Sequence, residues 1–283
     1  MRWQWHRAPP PTAPEAEATQ TSHRRARLSG MAHGNVSDLA FLLLLIGAII
    51  TWAKPELLFE PSFPSDDAAV GALVTLSGGL ALQLGLTYSG VKWNPINGKM
   101  GGFGGFCAVV NAVLLGNSTG QNFFYAFAAA LALASVHIFL FPSNPPVPKG
   151  PENKDNHGNA SDLVCLLLFG GAMACIFKPD LYFQDIGPVK ASFEAEHPHR
   201  PELEAMISYC GGLLLTVSMI LSGVKWNPVN GKMAGLGCFV SAGLALYVGA
   251  GTFFFYNAAV ILLGGVHVFF FPSNPLPAKK AAP

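Results

Sequence analysis

The sequence predicts an all-α integral membrane protein. Eight transmembrane helices form two tandem, parallel four-helix repeats (4+4), with a pseudo-two-fold axis along the membrane normal. Three observations carry this. Charge is scarce: 51% of the 283 residues are hydrophobic and 12% charged, about half the ~25% charged content usual in soluble domains. The charges that exist leave long gaps. No Asp, Glu, Lys or Arg occurs between Lys99 and Lys149 or between Lys232 and Lys279, and each gap holds two spans of about 20 residues. Finally, Ser89-Gly-Val-Lys-Trp-Asn-Pro-Ile-Asn-Gly-Lys-Met100 recurs as Ser222-Gly-Val-Lys-Trp-Asn-Pro-Val-Asn-Gly-Lys-Met233, differing only at Ile96 and Val229.

Residues 1–30 carry Arg2, Arg7, Arg24, Arg25 and Arg27, three consecutive prolines and no apolar run. That excludes a secretory signal, which needs an apolar core of about 7–15 residues. The segment reads as a disordered extension, an Arg-rich organelle transit peptide against which Glu15 and Glu17 count, or an over-extended start ahead of Met31.

The first repeat, 31–147, opens on His33-Gly-Asn-Val-Ser-Asp38, matched by His157-Gly-Asn-Ala-Ser-Asp162. Its first span is Leu39 to Ala53, capped by Ser37 or Asp38. It ends at Lys54-Pro55, because proline cannot continue the hydrogen-bond ladder. At about 1.5 Å per residue it barely reaches across the hydrocarbon. The second span is Ala68 to Gly90. After the motif come a third, Gly101 to Gly116, and a fourth, Gln121 to Phe141, stopped by Pro142-Ser-Asn-Pro145. A linker, 148–156, leads to the second repeat, 157–275. Its spans are Leu163 to Phe177, Ala205 to Gly223, Ala234 to Gly249 and Phe253 to Phe271, followed by a tail, 276–283. The registers differ by 124 residues at Lys54/Lys178, 133 at the motif and 130 at His137/His267. Nine residues are thus gained between spans five and six and three lost around 116–122. Both changes fall in loops, where a helical bundle tolerates them.

Four spans per repeat make both halves enter the membrane the same way round. Asn94-Pro95-Ile96 is similar to the Asn-Pro-Ala box of aquaporins, but that family pairs inverted three-span halves, so the likeness transfers nothing. The termini, both motif loops and the linker collect most of the lysines and arginines. The other face has only Lys54, Lys178, Lys190 and Arg200 among ten acids. The positive-inside rule therefore places both termini on the cytosolic, stromal or matrix side, of a membrane left open.

Polar residues shared by the two repeats are the candidates for chemistry. Asn-Pro-x-Asn-Gly is turn chemistry. The bland reading is an interfacial hairpin with Trp93 and Trp226 as headgroup-level anchors. A sharper one is an anion or lipid-headgroup site built from Lys92, Trp93, Asn94 and Lys99, and again from Lys225, Trp226, Asn227 and Lys232, with the amides of the following helix. A gating or re-entrant loop is a third. His137 and His267 are the only ionisable side chains inside the spans besides thiols and tyrosines, which makes them functional candidates. They read as hydrogen-bonded structural histidines, as ligands to haem or chlorophyll, or as proton carriers. Asp38 and Asp162 read as N-caps stabilised by the helix dipole, or as partners of Lys92 or His137.

Other features point to packing. Cys107, Cys165, Cys175, Cys210 and Cys238 all fall in spans, form no CxxC pair and suit no zinc spacing, so they read as small apolar fillers. Gly78-Gly79, Gly211-Gly212 and Gly101-x-x-x-Gly105 suit close helix approach. A net charge of +1 implies nothing about nucleic acid, and no basic run with interleaved aromatics is present, so no nucleic-acid partner is expected. No nucleophile–base pair or phosphate loop signals an enzyme. The expected function is non-catalytic and structural or accessory, as in a subunit of a larger membrane assembly. Its partners would be lipids and other membrane subunits, with no cofactor. Passive passage of a small neutral or anionic solute is one alternative, and haem or pigment binding through His137 and His267 another.

Overall fold

A computed structural model describes residues 36, 38–90, 93, 95–141, 158–223, 226, 228–249 and 251–271. The expectations for residues 1–30, the linker and the tail lie outside them. Among the described residues eight α-helices run in order. They are α1 (Asp38–Ala53), α2 (Ala68–Gly90), α3 (Pro95–Thr119), α4 (Asn122–Leu140), α5 (Gly158–Phe177), α6 (Arg200–Gly223), α7 (Pro228–Val248) and α8 (Thr252–Phe270). Six of them, α2, α3, α4, α6, α7 and α8, are long and apolar enough to cross a membrane. That fits a helical membrane protein. The apolar parts of the other two, Asp38–Ala53 and Asp162–Phe177, are about 24 Å long at 1.5 Å per residue, short of a ~30 Å hydrocarbon core.

Several starts are earlier than the sequence expectation, α5 at Gly158 and α6 at Arg200 among them, and two of them fall in the motif. α3 begins at Pro95 and α7 at Pro228, about six residues before Gly101 and Ala234. Pro95-Ile-Asn-Gly98 and Pro228-Val-Asn-Gly231 are therefore helix starts and not turns. Proline suits the first helical position, where its fixed φ is already helical and its missing N–H has no partner to lose. The following Asn-Gly then continues the helix.

Consecutive helices pack as the pairs α3 with α4, α5 with α6, and α7 with α8. α1 packs on α2, where the Trp52 indole N–H donates to the Thr75 carbonyl at 3.1 Å. Further contacts reach across the chain: α3 lies along α6, α2 along α7, and α2 touches α6 between them. α2 and α3, adjacent in sequence, are not a packed pair among the described residues, nor are α6 and α7. The motif thus sends the chain away from the helix it has just left.

Small residues and buried hydroxyls make these crossings close. A Cβ on Gly79 would sit 3.0 Å from Leu244, and one on Gly104 would sit 2.9 Å from Met219. Ser241 Oγ donates to the Gly79 carbonyl at 2.7 Å, and Asn111 Nδ2 donates to the Ser208 carbonyl at 2.9 Å. Ser241→Ala removes one buried bond, whose net worth is about 0.5–1.5 kcal/mol. Its expected effect is a small fall in melting temperature of the detergent-solubilised protein.

The opposite end is closed by aromatic plugs. Past α1, a 3-10 helix at Pro55–Leu57 turns the chain so that Phe59 stacks on Phe63 at 4.2 Å and on Phe123 of α4 at 4.4 Å. Past α5, a 3-10 helix at Pro179–Phe183 sets Phe183 beside Phe193 at 5.5 Å, and Phe193 lies 6.3 Å from Phe253 of α8. In the longer second loop, Lys190 donates to Asp185 at 2.6 Å. That bond holds the carboxyl below its ordinary range and the ammonium above its own, though a fully exposed pair adds little to stability. Asp67 Oδ1 caps α2, accepting from the Ala69 and Val70 N–H groups at 3.0 Å each. Asp67→Ala should lower stability by about 1 kcal/mol, readable as a shift in the thermal melt.

Candidate functional site

The repeated motif and the ends of α4 and α8 meet. A Cβ at Gly98 would run into the Ile138 carbonyl oxygen, and one at Gly231 into that of Val268. One turn on, a Cβ at Gly102 would sit 2.8 Å from Phe139 Cβ, and one at Gly235 would sit 2.7 Å from Phe269 Cβ. The motif helices and the His137-type helix ends are thus in direct contact, α3 with α4 and α7 with α8. Glycine is required at Gly98 and Gly231 because the obstacle is backbone, which cannot rotate aside.

Trp93 and Trp226 are 3% and 1% exposed. They are interior residues, which corrects their reading as headgroup anchors. Trp93 lies 6.0 Å from the Tyr88 ring, and a Cβ at Gly101 would be 2.9 Å from its Cζ3. The indole fills the corner where α2 ends and α3 begins. Asn97 and Asn230 are buried as well and engaged with partners. Reading the string as a turn hid them. The repeated second asparagine was the available signal, and it becomes legible once Pro95 and Pro228 are taken as helix starts.

Lys99 and Lys232 stay exposed, one turn inside α3 and α7. Lys92, Asn94, Lys225 and Asn227 lie outside the described residues. Asp162 stands inside α5, which begins at Gly158. Asp38 is helical too, with Val36 before it already helical. Neither is an N-cap, because the helices start earlier than the apolar runs do, and both carboxylates are exposed.

His137 and His267 sit in the last turns of α4 and α8, where the Phe141 and Phe271 N–H groups donate to their carbonyls at 2.9 Å each. The His137 ring is buried and engaged, 6.0 Å from Phe141, while His267 is half-buried, 6.4 Å from Phe271. The two histidines are not brought together. α4 contacts α3 and α8 contacts α7, with α2 and α6 between those pairs. Among the described residues no group of three or more His, Cys, Asp or Glu could hold a metal ion.

The motif end of the bundle is therefore close-packed. It offers buried indoles and buried amides, with exposed single lysines on its rim. Compared with known proteins, the chain matches no protein-family model, no curated protein and no solved structure.

Proposed function

We propose that the chain is a non-catalytic polytopic membrane protein with a structural or accessory role, of the kind a subunit of a larger membrane assembly plays. The observation that carries this reading is the filled centre of the bundle. Leu73, Leu76, Leu80 and Leu84 on α2 and Leu213 and Leu214 on α6, two helices in contact, are fully buried. A solute path along the middle would have to run through them, and packed interiors resist such opening.

The same reading takes the molecule as two tandem four-helix repeats about an axis along the membrane normal. Corresponding contacts support it: α3 on α6 answers α7 on α2, and Gly98 against Ile138 answers Gly231 against Val268. The lysine-rich face holds both termini on the cytosolic, stromal or matrix side. Exposed Lys99 and Lys232 there suit contact with lipid phosphates.

Two measurements test this. Reconstituted in liposomes, the full chain should give neutral and anionic solutes no permeability above that of protein-free vesicles. Extracted in mild detergent from its native membrane, it should migrate well above the mass of its own 29.9 kDa chain in detergent. Solute flux, or migration as a lone chain, would overturn the reading.

A further inference from the structure

The two crossings of this bundle are packed by different side chains, and one of them leaves a buried polar atom without a partner. Where α6 crosses α3, Thr216 faces Gly104. Its hydroxyl lies 3.0 Å from the Gly212 carbonyl and 3.2 Å from the Gly104 carbonyl, so a short side chain satisfies itself on backbone. Where α2 crosses α7, the corresponding residue in the repeat register is Gln83, facing Gly237, whose Cβ would come within 2.8 Å of the Gln83 Cα. Glutamine is longer and carries two polar ends. Its Nε2 donates to Cys238 Sγ at 3.1 Å, and its Oε1 has no hydrogen-bond partner among the described residues.

Gln83 is 2% exposed, so bulk water does not repair this. Turning the amide over does not help either. Oε1 would then accept from the thiol and Nε2 would take its place without a partner. An orphaned buried amide atom keeps its full desolvation penalty. Beside it lies a cavity of about 10 Å³, lined by Gln83, Thr87, Cys238, Trp226, Val217 and Leu221 among others. That is about the size at which a single water fits. Thr87 Oγ1 donates to the Gln83 carbonyl at 2.8 Å, which leaves its lone pairs to accept from a guest. The opposite crossing has Ile220 at the position of Thr87 and Gly105 at that of Cys238, and so lacks this polar lining.

The geometry points to a single-water binding site at the α2–α7 crossing, on one side of the bundle only. The water donates its two protons to Gln83 Oε1 and Thr87 Oγ1. It completes a crossing that on the other side needs no guest, which makes the halves non-interchangeable at this seam.

An experimental structure of the full chain that resolves ordered waters tests it directly. A peak about 2.6–3.2 Å from the Gln83 side-chain amide, inside the cavity, is expected; an empty cavity overturns the proposal. Gln83→Met, close in shape but apolar, provides a second readout that does not depend on resolution. With the water present, the variant gives up satisfied hydrogen bonds. Its melting temperature should then stay level or fall by about 2–4 °C, on the scale of one such bond in a chain this size. A rise of several degrees would mean that an unsatisfied group had been removed, and that no water binds there.

Discussion

Gly98→Val and Gly231→Val, each made alone, are expected to be the most damaging single substitutions at the motif end of the bundle. Each puts a branched side chain into a carbonyl oxygen of the neighbouring helix, that of Ile138 or of Val268. Overpacking a well-filled interior costs about 1–3 kcal/mol and occasionally more. The upper end applies here, because the obstacle is helix backbone. Either variant should lose most of the properly folded, monodisperse protein in detergent size-exclusion chromatography and melt well below the parent. Gly170→Ala and Gly243→Ala supply the contrast, since a Cβ at either position meets nothing within 4 Å among the described residues. In an open helical position alanine is favoured over glycine by up to about 1 kcal/mol, so these two should match or slightly exceed the parent melting temperature. If all four behave alike, close α3–α4 and α7–α8 contact does not hold.

Trp93→Ala and Trp226→Ala should each cost about 3–5 kcal/mol, the range for emptying a buried aromatic site. Thermal melts in one detergent across a range of lipid supplements can check this. An indole at the headgroup level would behave otherwise, its loss changing little in detergent and mattering chiefly in bilayers. Trp93→Phe should recover part of the loss, since a ring remains against Tyr88 and Gly101. A melting temperature equal to the parent's for both alanine variants would return the indoles to the membrane surface.

The helical class and six membrane-length helices were legible because a membrane restricts what can cross it. Backbone polar groups must be paired within the segment, so charge-free runs bounded by Lys-Pro or Pro-Ser-Asn-Pro read as helices with few alternatives. α4 and α8 come within a residue or two of their expected bounds for that reason. The motif was misread for a local one. Asn-Pro and Asn-Gly are turn signals in isolation, yet proline is equally at home as the first residue of a helix. Only the neighbouring α4, whose carbonyl at Ile138 demands glycine at Gly98, distinguishes the two. The same early starts moved Asp162 from a cap to the interior of α5.

Sequence by itself determined that this is an apolar, all-helical chain whose helices carry a twice-written motif, because composition and repetition are properties of the string. The tertiary structure decided which helices touch. The chain leaves α2 at the motif and packs α3 on α6, a choice made by small residues such as Gly104 and Gly79 that meet distant partners. It also decided that Trp93 and Trp226 face inward and that Gln83, unremarkable among apolar neighbours, holds an amide oxygen with no partner among the described residues. Burial and hydrogen-bond satisfaction depend on what lies opposite, and no residue's own letter records that.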